Sequence, residues 1–165
     1  MRLLILIAAA ALISTSTAAD ISVRFDEGAP KDRFTITQTG ACDLGTSKIT
    51  VDLSTSPHGL IFDVTSSGQG VEVFQPFELV AGADYLTTSP KVQDGDQAIA
   101  LPLSTLAQGQ SVAFTIDVDD TAGGREITVS DAEIAGAIVS VSTASGEYTG
   151  TFDNCSTAFV YMKGC

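Results

Sequence analysis

The feature that most constrains this chain is a period of two that restarts every eight to twelve residues. Phe114, Ile116 and Val118 alternate with Thr115, Asp117 and Asp119. Successive side chains of an extended chain point to opposite faces, so this spacing makes one face apolar and the other polar. The same alternation runs through 21–25, 33–37, where Phe34 and Ile36 face inward, and 48–53, where Ile49, Val51 and Leu53 do. Further short runs rich in Val, Ile, Phe and Thr fall at 60–64, 71–74, 77–80, 99–103 and 157–162. Gly, Pro, Asp and Ser bound them, as in Ser56-Pro57-His58-Gly59 and Asp94-Gly95-Asp96. The 60–64 and 71–74 runs are close enough to read as a hairpin. Pro76 makes 77–80 either a new strand or an edge, Pro102 marks 99–103 as edge-like, and 85–96 reads as a long surface loop. No segment holds a helical period over the length a helix needs. Nine to eleven strands that each bury one face are most simply satisfied by two antiparallel sheets packed face to face. The expected fold is therefore a single all-β antiparallel sandwich, immunoglobulin-like or jelly-roll-like.

Residues 1–19 stand apart from that pattern. Met1-Arg2 is a short basic start, an apolar run covers 3–13, and small residues lead to Ala18-Ala19. This is the layout of a secretory signal peptide, too short for a membrane span, with cleavage expected after Ala19. The β-sandwich domain then covers 20–165. The whole chain has 20 acidic and 8 basic residues, a net charge of −12. Cleavage would remove Arg2 and no acid, leaving −13. Such a surface repels phosphate backbones and anionic lipid, so nucleic acid and membrane insertion are disfavoured, while divalent cations are favoured counter-charges. The expected location is secreted or periplasmic, an oxidising setting in which Cys42, Cys155 and Cys165 allow one intramolecular disulfide at a time. Cys42–Cys165 would close the longer loop, worth about 4–5 kcal/mol in the chain-entropy model, against about 2.5–3 kcal/mol for Cys155–Cys165. The expected pair is Cys42–Cys165, which leaves Cys155 as a free thiol or an intermolecular link.

The chain carries no nucleophile elbow and no His-Glu-x-x-His pattern. Its one histidine, His58, sits in a Pro-His-Gly turn and reads as a solvated turn residue. One His and three scattered Cys give no zinc spacing. No catalytic residues are expected, and the chain reads as a non-enzyme. Calcium is the sharper expectation, because it is held by six to eight oxygens that loops at strand ends can supply. The stretch 111–152 reads as strand, acidic loop, strand, tight turn, strand. Asp117 and Asp119 share the polar face of the first strand, Asp120 begins the loop, and Asp131 and Glu133 share a face at the start of the next. Pairing those two strands as a hairpin would converge Asp117, Asp119, Asp120, Asp131 and Glu133 on one calcium. The bland alternative is that these carboxylates point outward and are hydrated. Asp94 and Asp96 form a poorer second candidate, and Arg125 reads as a salt-bridge partner for the neighbouring acids. Trp is absent, and Phe62, Phe74 and Phe77 read as core rather than as a sugar-stacking platform.

Several stretches resemble a known family. These are Glu27-Gly28-Ala29-Pro30-Lys31-Asp32-Arg33-Phe34, Thr39-Gly40-Ala41-Cys42, GVEVFQPF at 70–77 and FTIDVDDTAGGRE at 114–126. Together they are similar to the exported bacterial proteins called aggregation factor core proteins. The segment 132–137 is similar to a β-rich module of large secreted proteins that carry calcium-binding repeats, although those nonapeptide repeats are absent here. The resemblance implies an exported adhesion module without catalytic residues, and it carries over Asp117, Asp119 and Asp120 as a cation segment. The expected function is thus a non-enzymatic secreted adhesion or interaction module, calcium-stabilised, with an extracellular protein or glycan as partner. The alternative is a carbohydrate-binding β-sandwich, which an exposed aromatic patch would favour.

Overall fold

The computed structural model describes residues 20–67, 74–122 and 129–163. The signal-peptide reading of 1–19, the strand at 71–74, Arg125 and Cys165 lie outside or largely outside the described residues. Eleven strands run in order: β1 (Ile21–Asp26), β2 (Asp32–Gln38), β3 (Ser47–Asp52), β4 (Ile61–Phe62), β5 (Glu78–Ala81), β6 (Ala98–Leu103), β7 (Ser111–Ile116), β8 (Val118–Asp119), β9 (Ile138–Thr143), β10 (Gly146–Thr151) and β11 (Thr157–Val160). A one-turn helix, α1 (Asp131–Ile134), precedes β9, and a 3₁₀ turn spans Ala83–Tyr85. The strands form a five-stranded sheet ordered β11-β1-β2-β7-β5, a four-stranded sheet ordered β10-β9-β3-β6, and a separate β4-β8 pair. All described pairings are antiparallel. The all-β sandwich expected from the period-two pattern is the fold observed.

The pattern works because each inward residue is sealed. Ile21, Val23 and Phe25 of β1 and Phe34 and Ile36 of β2 meet Ile49 and Val51 of β3, Ile99 and Leu101 of β6, and Val139 and Val141 of β9 in one core. Burying a side chain of this kind contributes about 1.5–3 kcal/mol. Phe34 sits at the centre, with ring centroids 5.1 Å from Phe25, 5.0 Å from Phe114 and 6.4 Å from both Phe62 and Phe152. Phe77 tilts against Phe114 at 5.3 Å. Phe62 is fully buried and Phe77 partly so, as expected of core residues. β10 and β11, edge strands of opposite sheets, approach closely at Gly150, where a Cβ would run into the backbone carbonyl of Phe159.

Pro102 does lie in an edge strand, β6, and 77–80 does become the edge strand β5. Two expectations about 111–152 are corrected. Asp131 and Glu133 do not open a strand. Residues 131–134 form α1, because Ser130 and Glu133 make a reciprocal capping box in which Glu133 Oε2 accepts the Ser130 amide at 2.6 Å and the Ser130 hydroxyl at 2.7 Å. Nor does the first strand pair with the next: β7 lies between β2 and β5, whereas β9 lies between β3 and β10 in the other sheet. The hairpin that was to gather five carboxylates therefore does not form. β4 takes β8 as its partner, with Ile61 opposite Asp119 and Phe62 opposite Val118. Cys42 is disulfide-bonded, and Cys155 is a free, exposed thiol. Among the described residues no helix is long and apolar enough to cross a membrane.

Candidate metal centre

The site begins where β7 leaves β2. The ladder between them ends at Asp32 opposite Ile116. Asp117 then breaks the strand, and β8 turns to pair with β4. Asp32 stabilises this change of partner: its Oδ2 accepts the Val118 amide at 3.0 Å and its Oδ1 accepts the Gly28 amide at 3.1 Å. The freed backbone groups find partners in two other segments. The Asp63 amide donates to the Asp117 carbonyl, the Gln75 amide to the Asp63 carbonyl and the Asp117 amide to the Gln75 carbonyl, at 3.1–3.2 Å. A third segment closes over them. The Phe62 amide donates to the Asp96 carbonyl at 2.8 Å, the Gly95 amide to the Phe62 carbonyl at 2.9 Å, and Asp94 Oδ1 accepts both the Val64 and Thr65 amides at 2.9 Å.

This arrangement buries three carboxylates together. Asp63, Asp117 and Asp119 are 1%, 4% and 1% exposed, and each offers an oxygen within 4.8 Å of the others. Both carboxylate oxygens of Asp63 and Oδ2 of Asp117 are buried without a hydrogen-bond partner. Leaving one buried polar group unsatisfied costs about 1–3 kcal/mol, and more for a charge. Burial, then hydrogen bonding of the protonated group to the Asp94 and Asp119 carboxylates and the charges of both, pushes Asp63 up to about 7. Burial, then the charges of Asp119, Asp32 and Asp63, pushes Asp117 up to about 8. Asp32 also rises to about 7 through burial, against the pull of its two amide donors. Burial pushes Asp94 up as well, but the Val64 and Thr65 amides outweigh it and hold Asp94 below the ordinary carboxylate range.

The donor set is all oxygen and all carboxylate, which suits a hard cation and not a thiolate- or imidazole-seeking one. The three carboxylates bring one oxygen each together, and the rest of the six to eight that calcium takes would come from second carboxylate oxygens, backbone carbonyls and water. The sequence reading placed two of these three ligands, Asp117 and Asp119. It put them on a polar face, whereas both are buried under the 62–65, 75–77 and 93–96 segments. It missed Asp63, which follows an apolar run and carries no mark in the sequence. It flagged Asp94, but as half of a separate site; Asp96 serves the turn, its Oδ2 accepting the Gln93 amide at 2.7 Å.

The other expected ligands lie elsewhere. Asp120 follows the last residue of β8 and lies outside the buried trio. It groups with His58 and Glu133, each half-buried, with ligating atoms within 4.8 Å. His58 Nδ1 stands 3.9 Å from Glu133 Oε1. Glu133 is committed to its capping box; although burial opposes it, the Ser130 donors and His58 hold it below the ordinary range. The side chain of Asp131 is outside the described set. The five-carboxylate site is thus replaced by a buried trio that shares only Asp117 and Asp119 with it.

Fold and centre together define an all-β sandwich with a buried carboxylate cluster at one end. No family model matches the chain. No curated protein matches its sequence either. Among solved structures, a family GH18 chitinase from Chromobacterium violaceum is similar at a TM-score of 0.36 and 16% identity over 83% of this chain. The chain spans only 19% of that enzyme. A likeness of that size says nothing of what this chain binds or does.

Proposed function

We propose that the chain is an exported, non-enzymatic adhesion or interaction module, stabilised by calcium held by Asp63, Asp117 and Asp119. The observation that carries the calcium reading is the burial of Asp63 with no donor to either oxygen of its ionised carboxylate, packed against two further buried acids. A cation supplies what no donor supplies there. The extracellular setting rests on the signal-peptide pattern of 1–19, on the disulfide-bonded state of Cys42, for which Cys165 is the proposed partner, and on the resemblance to aggregation factor core proteins. Calcium titration of the 20–165 protein by calorimetry tests the reading. A single site absent from the Asp63→Asn variant is expected; equal heats from both proteins would refute the ligand assignment. The adhesive role is tested by calcium-dependent clustering of beads coated with the protein, and clustering that chelator leaves unchanged would count against it.

A glycan partner is favoured by one observation. Phe159 and Tyr161 stand two residues apart on β11 and its extension, 45% and 55% exposed, alternating with the buried Ala158 and Val160. Exposed rings at this spacing can stack on sugar faces. Retention on a polysaccharide column that falls on replacing both by Ser would support this reading, and no retention of the native protein would end it.

A further inference from the structure

We propose that the cation at Asp63, Asp117 and Asp119 works as a clasp, closing β4, β8 and the 93–96 turn over the end of a sandwich that is already formed. The inference rests on the calcium reading above and adds what calcium controls.

The ligands join segments whose strand pairing is short. Asp63 follows β4, Asp117 lies between β7 and β8, and Asp119 ends β8. The β4–β8 ladder is two residue pairs long, whereas β1–β2, β3–β6 and β3–β9 each run for six. A two-stranded pair of that length has no stability of its own. The 93–96 turn reaches β4 through backbone bonds between Phe62 and residues 95 and 96 and through the Asp94 carboxylate. The closed form places the Asp63 carboxylate, without a donor, among the carboxylates of Asp94, Asp117 and Asp119. Opening this corner would hydrate those groups at the loss of a handful of hydrogen bonds and of the burial of Phe62 and Val118, while the inward residues of β1, β2, β3, β6 and β9 keep the rest of the apolar core. Local opening of this kind draws on the least stable unit of a fold. A ligand shifts that equilibrium by its preference for the closed form, and only the closed form gathers all three carboxylates. The chain would then complete its fold where calcium is abundant, which is the compartment to which its first residues would send it.

Residue-resolved amide hydrogen exchange on the 20–165 protein tests this, in chelator and with calcium at a hundredfold excess over its Kd. The expected result is exchange about 100-fold slower with calcium at the amides of Phe62, Asp63, Val64, Thr65, Gly95 and Asp117. The amides of β1, β2, β3 and β9 should not change. Asp63→Asn should remove the calcium effect, and Asp120→Asn should keep it. Calorimetric binding with unchanged exchange at the corner overturns the clasp and leaves the calcium site standing. Slowing spread evenly over both sheets also overturns it, because calcium would then govern global folding. Absence of any binding heat removes the calcium reading and the clasp with it.

Discussion

Replacing Asp63 by Asn should move stability in opposite directions with and without calcium. In chelator at pH 8, where Asp63 is ionised, its carboxylate faces Asp94 and Asp119 with no donor to either oxygen. An amide of nearly the same shape removes one charge from this group and offers two N–H donors to it. A hydrogen bond to a charged acceptor contributes about 1.5–3 kcal/mol. For a domain of this size that corresponds to a rise in Tm of roughly 4–10 °C. With calcium at a hundredfold excess over Kd, the native protein gains about 2.7 kcal/mol. The variant, short of one anionic ligand, should gain little. Thermal unfolding followed by circular dichroism, run in chelator and in calcium at matched ionic strength, reads all four values. A variant less stable than the native protein in chelator would mean that the Asp63 carboxylate has a donor the structure does not show. An undiminished calcium shift would mean that the cation sits elsewhere. Either result refutes the reasoning.

Two further outcomes follow from the same geometry. In chelator, stability should fall as pH rises from about 4 to about 8 and then level off, because Asp32, Asp63 and Asp117 have folded pKa values of about 7, 7 and 8 against 3.8 unfolded. The folded chain binds more protons than the unfolded one throughout that window, so deprotonation favours unfolding; urea midpoints that rise steadily from pH 5 to 8 would contradict this. Gly150→Ala should lower stability by about 1–3 kcal/mol, since its methyl meets the Phe159 carbonyl and rigid backbone must give way. A native urea midpoint in that variant would show that β10 and β11 can separate freely.

Much of the fold was legible because alternation is a local property. Whether Ile36 or Val51 faces inward depends on its immediate neighbours and on the pleat, so the inward residues of β2 and β3 could be named from the chain alone. The same logic failed at Asp117 and Asp119. Alternation put them opposite Ile116 and Val118, which is correct, but a face opposite the core is exposed only if nothing covers it. Segments 62–65, 75–77 and 93–96 cover it, and their arrival is a long-range event. Residues 131–134 misled for a different reason: Ser130 and Glu133 form a capping box, and one turn is too short to leave a helical period.

By itself, then, the sequence determined the two-sheet sandwich, its single core and the acid-rich stretch at 117–120, since each depends on spacing along the chain. Only the tertiary structure decided which acids meet. Asp63 and Asp117 are 54 positions apart and come together because β7 changes partner from β2 to β4 through β8. Asp119 and Asp120 are adjacent and part company because β8 ends at Asp119 and the chain leaves the strand there. Charge clustering is a matter of distance in space, and a folded chain sets that distance through strand pairing rather than through residue number.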